Sequence, residues 1–109
     1  MNPIDFNGLD TSVHGPLRLG IMTALQVDGP LDFTTLKTRL QTVDGSLNLQ
    51  LGKLEARGYI TSKKAFVALR PKTTYKITEA GRRALAEYLR TMKSLIEYME
   101  TAKEGEAEI

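Results

Sequence analysis

The apolar residues of this chain change their spacing twice, and few folds satisfy both changes in so short a length. Up to Leu54 they recur every three or four residues, as Leu17, Ile21, Ala24 and Leu25, then Phe33, Leu36, Leu40 and Val43, then Leu47, Leu51 and Leu54. That is the period of helices buried along one stripe. After Gly58 the pattern turns strand-like, with Tyr59, Ile60, Thr61, Phe66, Val67 and Leu69, and a further β-prone stretch from Thr73 to Ile77. From Leu85 the helical period returns and continues to Met99. Three helices, a hairpin and a long last helix must share one small core, because 109 residues leave little room for a second domain.

The punctuation sets the expected boundaries. Pro16 suits the first turn of a helix and Gly29-Pro30 stops it, giving a first helix of about Pro16 to Val27. Asp32 is placed to cap a second, and Thr42 or Asp44 a third of about Val43 to Arg57, which ends at Gly58. Arg70-Pro71-Lys72 interrupts the apolar run and reads as the basic tip of a hairpin, although no Asn-Gly or Asp-Gly pair marks its turn. Thr78 caps the last helix, with Glu79 in its first turn, and the helix is expected to run to about Ala102. The expected layout is an arm over 1–13 that packs loosely or on a partner chain, a core over 14–77, the long helix over 78–102, and a Glu-rich disordered tail over 103–109. The class is α+β, mostly α.

The chain has no cysteine and one histidine, His14, which excludes disulfide frameworks, thiol catalysis and zinc sites built from Cys and His. His14 reads as a structural residue near a helix start. Asp5, Asp10, Asp28, Asp32 and Asp44 lack metal-loop spacing, and no phosphate loop or nucleophile constellation occurs. No catalysis, cofactor or metal is assigned. No apolar run reaches the roughly 18 residues of a membrane span, and residues 1–10 lack the features of a signal peptide, so the expected address is the cytoplasm. The net charge of +2 hides a division: Phe33 to Lys76 holds nine basic and two acidic residues, whereas five glutamates lie in the last thirteen positions. A basic centre points to a polyanionic partner.

Three helices, a two-stranded wing and a further helix are the layout of a winged helix-turn-helix. The segments His14 to Ile21, Leu31 to Lys37, Asp44 to Leu47, Lys53 to Ile60, Arg70 to Tyr75 and Thr78 to Arg82, in that order, resemble the successive blocks of small prokaryotic winged-helix transcriptional regulators akin to the MarR and ArsR groups. The resemblance covers Val13 to about Leu95. It implies double-stranded DNA as partner, and as contacts Thr34 and Lys37 of the second helix, Ser46, Asn48, Leu49, Gln50, Lys53 and Arg57 of the third, and Lys63, Lys64, Arg70, Lys72 and Thr74 of the hairpin. Such a helix reads base edges in the major groove while basic groups hold phosphates. Asn48 and Gln50 suit adenine, Ser46 a phosphate or a base, and Leu49 a thymine methyl. Leu49 and Gly52 stand where the family usually carries a polar and a basic residue. They keep open an alternative, a winged-helix protein-interaction module with weak or no DNA binding.

The last helix carries Leu85, Leu89, Met92, Ile96 and Met99 at spacings of four, three, four and three, a coiled-coil seam widened by Ala84, Tyr88, Leu95 and Tyr98. Leu85 and Leu89 are expected to pack back on the first helix. Met92, Leu95, Ile96 and Met99 are expected to form a homodimer, setting two reading helices on a pseudo-palindromic site. A pocket for a small-molecule effector between the first and last helices is left open, with no residue naming its ligand.

Overall fold

A computed structural model describes residues 6–107, without the side chains of 103–107; the expectations for residues 1–5 and 108–109 lie outside it. The order is α1 (Pro16–Asp28), β1 (Leu31–Asp32), α2 (Phe33–Arg39), α3 (Asp44–Ala56), β2 (Ile60–Val67), β3 (Arg70–Ile77) and α4 (Glu79–Ala107). The strands form one antiparallel sheet in the order β1-β3-β2.

The core is drawn from every helix and from the sheet. Ile21, Met22 and Leu25 of α1, Leu36 of α2, Leu47, Leu51 and Leu54 of α3, Ile60 and Ile77 of the hairpin, and Leu85 and Tyr88 of α4 are buried together. These are mostly the positions that the helical and strand periods select. Asp32 caps α2 as expected, accepting from the Thr35 N–H at 2.7 Å. Thr78 likewise accepts from the Gly81 N–H at 3.0 Å at the start of α4. Gly58 follows α3 at φ +76°, a conformation that favours glycine.

Asp32→Ala is expected to cost about 1 kcal/mol, measured by denaturant unfolding, because it leaves a first-turn N–H without its acceptor. The Asp32 carboxyl is held below its ordinary pKa, chiefly by hydrogen bonding from Thr35, opposed by burial and supported by Lys72. A depressed folded pKa gives a contribution present above the unfolded carboxylate range and lost as pH falls through the folded value. Acid titration should therefore reduce the difference between wild type and variant.

Several expectations are corrected. The sheet has three strands, because Leu31 and Asp32 pair with Tyr75 and Thr74 of β3. The hairpin turns at Ala68-Leu69, and Arg70-Pro71-Lys72 belong to β3, with Val67 opposite Arg70. Both loop residues have positive φ, 51° and 66°, the backbone that a two-residue hairpin turn of the right twist demands. In non-glycine residues that region costs about 1–2 kcal/mol each. Val43, expected on the buried face of the second helix, is exposed and is itself the N-cap of α3, with no side-chain cap. The described part of the arm packs on its own chain: Val13 is fully buried and Leu9 lies against the core. Leu89, expected against α1, is 52% exposed. The last helix continues to Ala107, five residues past the expected end.

That helix has 29 residues, and its contacts with the core end in the fourth turn at Met92, which was expected in the dimer seam and instead packs on its own chain. The rest projects. The radius of gyration is accordingly 17.6 Å, against about 13 Å for a compact chain of this length. No helix among the described residues is long and apolar enough to cross a membrane.

Candidate nucleic-acid interface

Burial of Leu47, Leu51 and Leu54 fixes how α3 sits, and it turns Gly45, Ser46, Asn48, Leu49, Gly52, Lys53 and Ala56 to solvent. The three leucines at i, i+4 and i+7 leave a continuous outward face. Nothing lies within 4 Å of a Cβ built at Gly45 or Gly52, so the helix is unobstructed there.

The hairpin stands beside this face. Side chains alternate across a strand, so Ile60, Ser62, Lys64 and Phe66 share a side with their partners Ile77, Tyr75, Thr73 and Pro71. Burial of Ile60, Tyr75 and Ile77 identifies that side as the one facing the helices. Lys63, Arg70, Lys72 and Lys76 lie on the other side, all exposed. Between α3 and the wing runs a groove of about 680 Å³ walled by Thr34, Asn48, Gly52, Glu55, Ser62, Lys64 and Thr73, among others. Lys64 and Lys72 are offset there by Glu55 and Asp32, and Lys72 pairs with Asp32 at 3.4 Å. The groove is thus nearly neutral, and the positive charge of Lys63, Arg70 and Lys76 lies on the side of the hairpin away from the helices.

Not every expected contact is free. Gln50 is half-buried and its Oε1 accepts from Arg18 Nη1 at 2.7 Å, so this side chain faces α1 rather than the outer surface. Arg57 donates to the Tyr59 hydroxyl at 3.2 Å and lies 5.4 Å from its ring centre. Tyr59 in turn donates to the Asp10 carboxylate. Burial, and then this bond to Asp10, raise the Tyr59 pKa and keep it a donor. Burial pushes the Asp10 carboxyl up, but bonds from Tyr59 and Ser12 and the charge of Arg57 outweigh it, leaving the pKa low. Lys37 pairs with Asp44 at 2.7 Å, and Thr74 is half-buried opposite Asp32. Thr34, Ser46, Asn48, Leu49, Lys53, Lys63, Lys64, Arg70 and Lys72 are exposed along α2, α3 and the wing.

Arg18, Asp10 and Tyr59 escaped the sequence reading, since each acts on a residue distant in the chain. Arg18 also donates to the carbonyls of Thr11 at 3.4 Å and His14 at 2.7 Å, tying the arm to α3. The arm meets α4 as well: His14 Nδ1 and the Tyr88 hydroxyl share a bond of 2.9 Å. A cleft of about 760 Å³ lies between residues 7–11 and α4, lined in part by Asp10, Tyr59, Arg83 and Arg90.

Residues 17–96 match a family model described as a winged helix DNA-binding domain. Over 58 residues, 53% of the chain, the sequence is 41% identical to an uncharacterised protein of Methanocaldococcus jannaschii, and the match spans 63% of that relative's length. Among solved structures, a transcriptional regulator homologue from Pyrococcus horikoshii gives a TM-score of 0.75 at 28% identity, over 81% of this chain and 87% of its own. A PadR family transcriptional regulator from Eggerthella lenta gives 0.64 at 21% identity, over 79% and 81%. NadR in complex with 4-hydroxyphenylacetate gives 0.67 at 22%, over 87% and 67%.

Proposed function

This chain belongs to the winged helix DNA-binding domain family, and from that premise we propose that it is a non-enzymatic, sequence-specific regulator that binds duplex DNA as a homodimer. The observation that carries the reading is the outward face of α3, with Ser46, Asn48 and Leu49 exposed beside a basic wing. In this reading α3 enters the major groove. Asn48 takes an adenine edge and Leu49 a thymine methyl, while Lys63, Arg70 and Lys72 hold phosphates. Gln50 and Arg57 serve as positioning residues, since their polar ends are engaged within the chain.

The dimer is supported by α4, where Leu89, Ile96 and Met99 are 52%, 50% and 70% exposed along a helix leaving the core. A second copy is the natural cover for a seam of this period. A small-molecule effector would sit in the cleft between the arm and α4, where its effect would pass to Arg57 through Asp10 and Tyr59.

Asn48→Ala tests base reading: it should relax preference at one base pair by about 1–3 kcal/mol, while nonspecific binding and folding stay near wild type. Gly52→Lys is its companion. The added side chain meets open space and should tighten binding to all duplexes by adding a phosphate contact. Competition binding with single-base variants of the preferred duplex reads both. Unchanged base preference together with no gain from Gly52→Lys would take α3 out of the groove and favour the protein-interaction alternative.

A further inference from the structure

We propose that the wing ends in an apolar wedge: Leu69, backed by Phe66 and Val67, enters the minor groove of the bound duplex and opens a base step. This rests on the reading of α3 and the wing as a duplex-binding surface. It adds a way of choosing sequence that needs no hydrogen bond to a base.

Three observations meet at the tip. Leu69 is 96% exposed, Phe66 78% and Val67 54%, so these side chains contribute little to the protein's own core. Ala68 and Leu69 form the whole loop, and both adopt the positive φ that Gly, Asn or Asp take more readily. The two-residue turn demands this backbone but not a leucine in it, so the placing of a fully exposed leucine there is unexplained by folding. Arg70 adjoins Leu69, Lys63, Lys64 and Lys72 lie further down the strands, and no acidic residue occurs from Thr61 to Thr78.

That combination suits a partner with an anionic rim and an apolar interior. In duplex DNA these are the phosphates flanking the minor groove and the stacked bases at its floor. The dimensions agree, since three residues of strand separate Lys64 from Val67, about 10 Å at 3.3 Å each, and the groove is about 7.5 Å deep. Lysines at the level of the phosphates therefore leave the tip at the bases. Two strands lie about 4.8 Å apart before side chains are added, so a groove about 6 Å wide must open to admit them. Apolar side chains inserted in this way unstack a step and bend the helix. Preference should follow deformability, with TA and CA/TG steps favoured under the wing over stiff A-tracts.

The test uses the full-length protein and duplexes of about 30 base pairs spanning the region upstream of its own gene, dye-labelled at both ends so that energy transfer reports the bend. Wild type should bend the duplex it binds best. Leu69→Asn, polar but tolerant of positive φ, should lose most of the bend and about tenfold in affinity, with the salt dependence unchanged. Leu69→Gly, which also relieves the backbone, should behave the same and controls for folding. Binding by wild type without a bend, or an equal bend in all three proteins, overturns the wedge while leaving the duplex-binding reading intact. Absence of binding to every duplex overturns both. Binding to phosphatidylserine vesicles that depends on Leu69, without a DNA bend, assigns the tip to a lipid surface instead.

Discussion

Replacing Gly81 with alanine should lower the melting temperature by roughly 10–20 °C, the equivalent of about 2–3 kcal/mol in a domain of this size. A Cβ at this position would stand 2.2 Å from the backbone oxygen of Tyr59 and 2.9 Å from Ile77 Cγ1. Neither can step aside. The Tyr59 oxygen accepts from the Thr78 N–H at 3.0 Å, and the Thr78 hydroxyl donates to the Gly58 oxygen at 2.6 Å. The start of α4 is therefore bonded to the backbone that the new methyl would displace, and the clash must be relieved by moving the helix. Gly52→Ala is the control, because its Cβ meets nothing, and it should raise stability by about 0.5–1 kcal/mol through helix propensity alone. Thermal unfolding followed by circular dichroism separates the two. Equal melting of Gly81→Ala and wild type would contradict this packing of α4 on Tyr59.

The second large effect concerns the outer half of α4. Wild type should be a dimer at tens of micromolar, as measured by light scattering or sedimentation. Ile96→Glu with Met99→Glu should weaken the dimer at least about a hundredfold, since each buried aliphatic side chain contributes about 1.5–3 kcal/mol. The domain should stay folded, because these side chains are 50% and 70% exposed in the single chain. Truncation after Tyr88 should be harsher, yielding a monomer or an unfolded chain. DNA affinity should fall with dimerisation, since two half-site contacts then no longer reinforce each other. A monomeric wild type at these concentrations would contradict the dimer.

The contrast between what the sequence disclosed and what it concealed follows from range. Helix stripes such as Leu47, Leu51 and Leu54 and caps such as Asp32 and Thr78 are local signals, and the structure has them where the spacing puts them. β1 has two residues, too few to alternate, and it is a strand only because Tyr75 and Thr74 offer it a ladder. The wing turn carries no glycine or asparagine, so the conspicuous proline at position 71 drew the turn toward itself although it lies within β3. Leu89 keeps the helical period, but the stripe of α4 that meets the core runs through Leu85, Tyr88 and Met92, which leaves Leu89 beside it. Of the expected contacts, Asn48, Lys63 and Lys72 are outward because their neighbours' burial dictates it, whereas Lys64 shares the helix-facing side of the wing. Gln50 was legible as lying near the core boundary, but its bond to Arg18, 32 residues away, was not. Arg57 is similar, held by an arm residue 47 positions earlier through Tyr59.

In the proposed function the α3 and wing surface binds duplex DNA, with the wing supplying phosphate contacts. The most direct test is equilibrium binding of wild type and an Arg70→Ala/Lys72→Ala variant to the same set of duplexes, across about 50 to 300 mM salt. Wild type should bind with a steep negative slope of log K against log salt. The variant should bind all duplexes more weakly to a similar extent, with a slope shallower by about 0.9 for each phosphate contact removed. No binding by wild type at the lowest salt, or an unchanged slope in the variant with affinity lost only for the preferred sequence, would contradict the account.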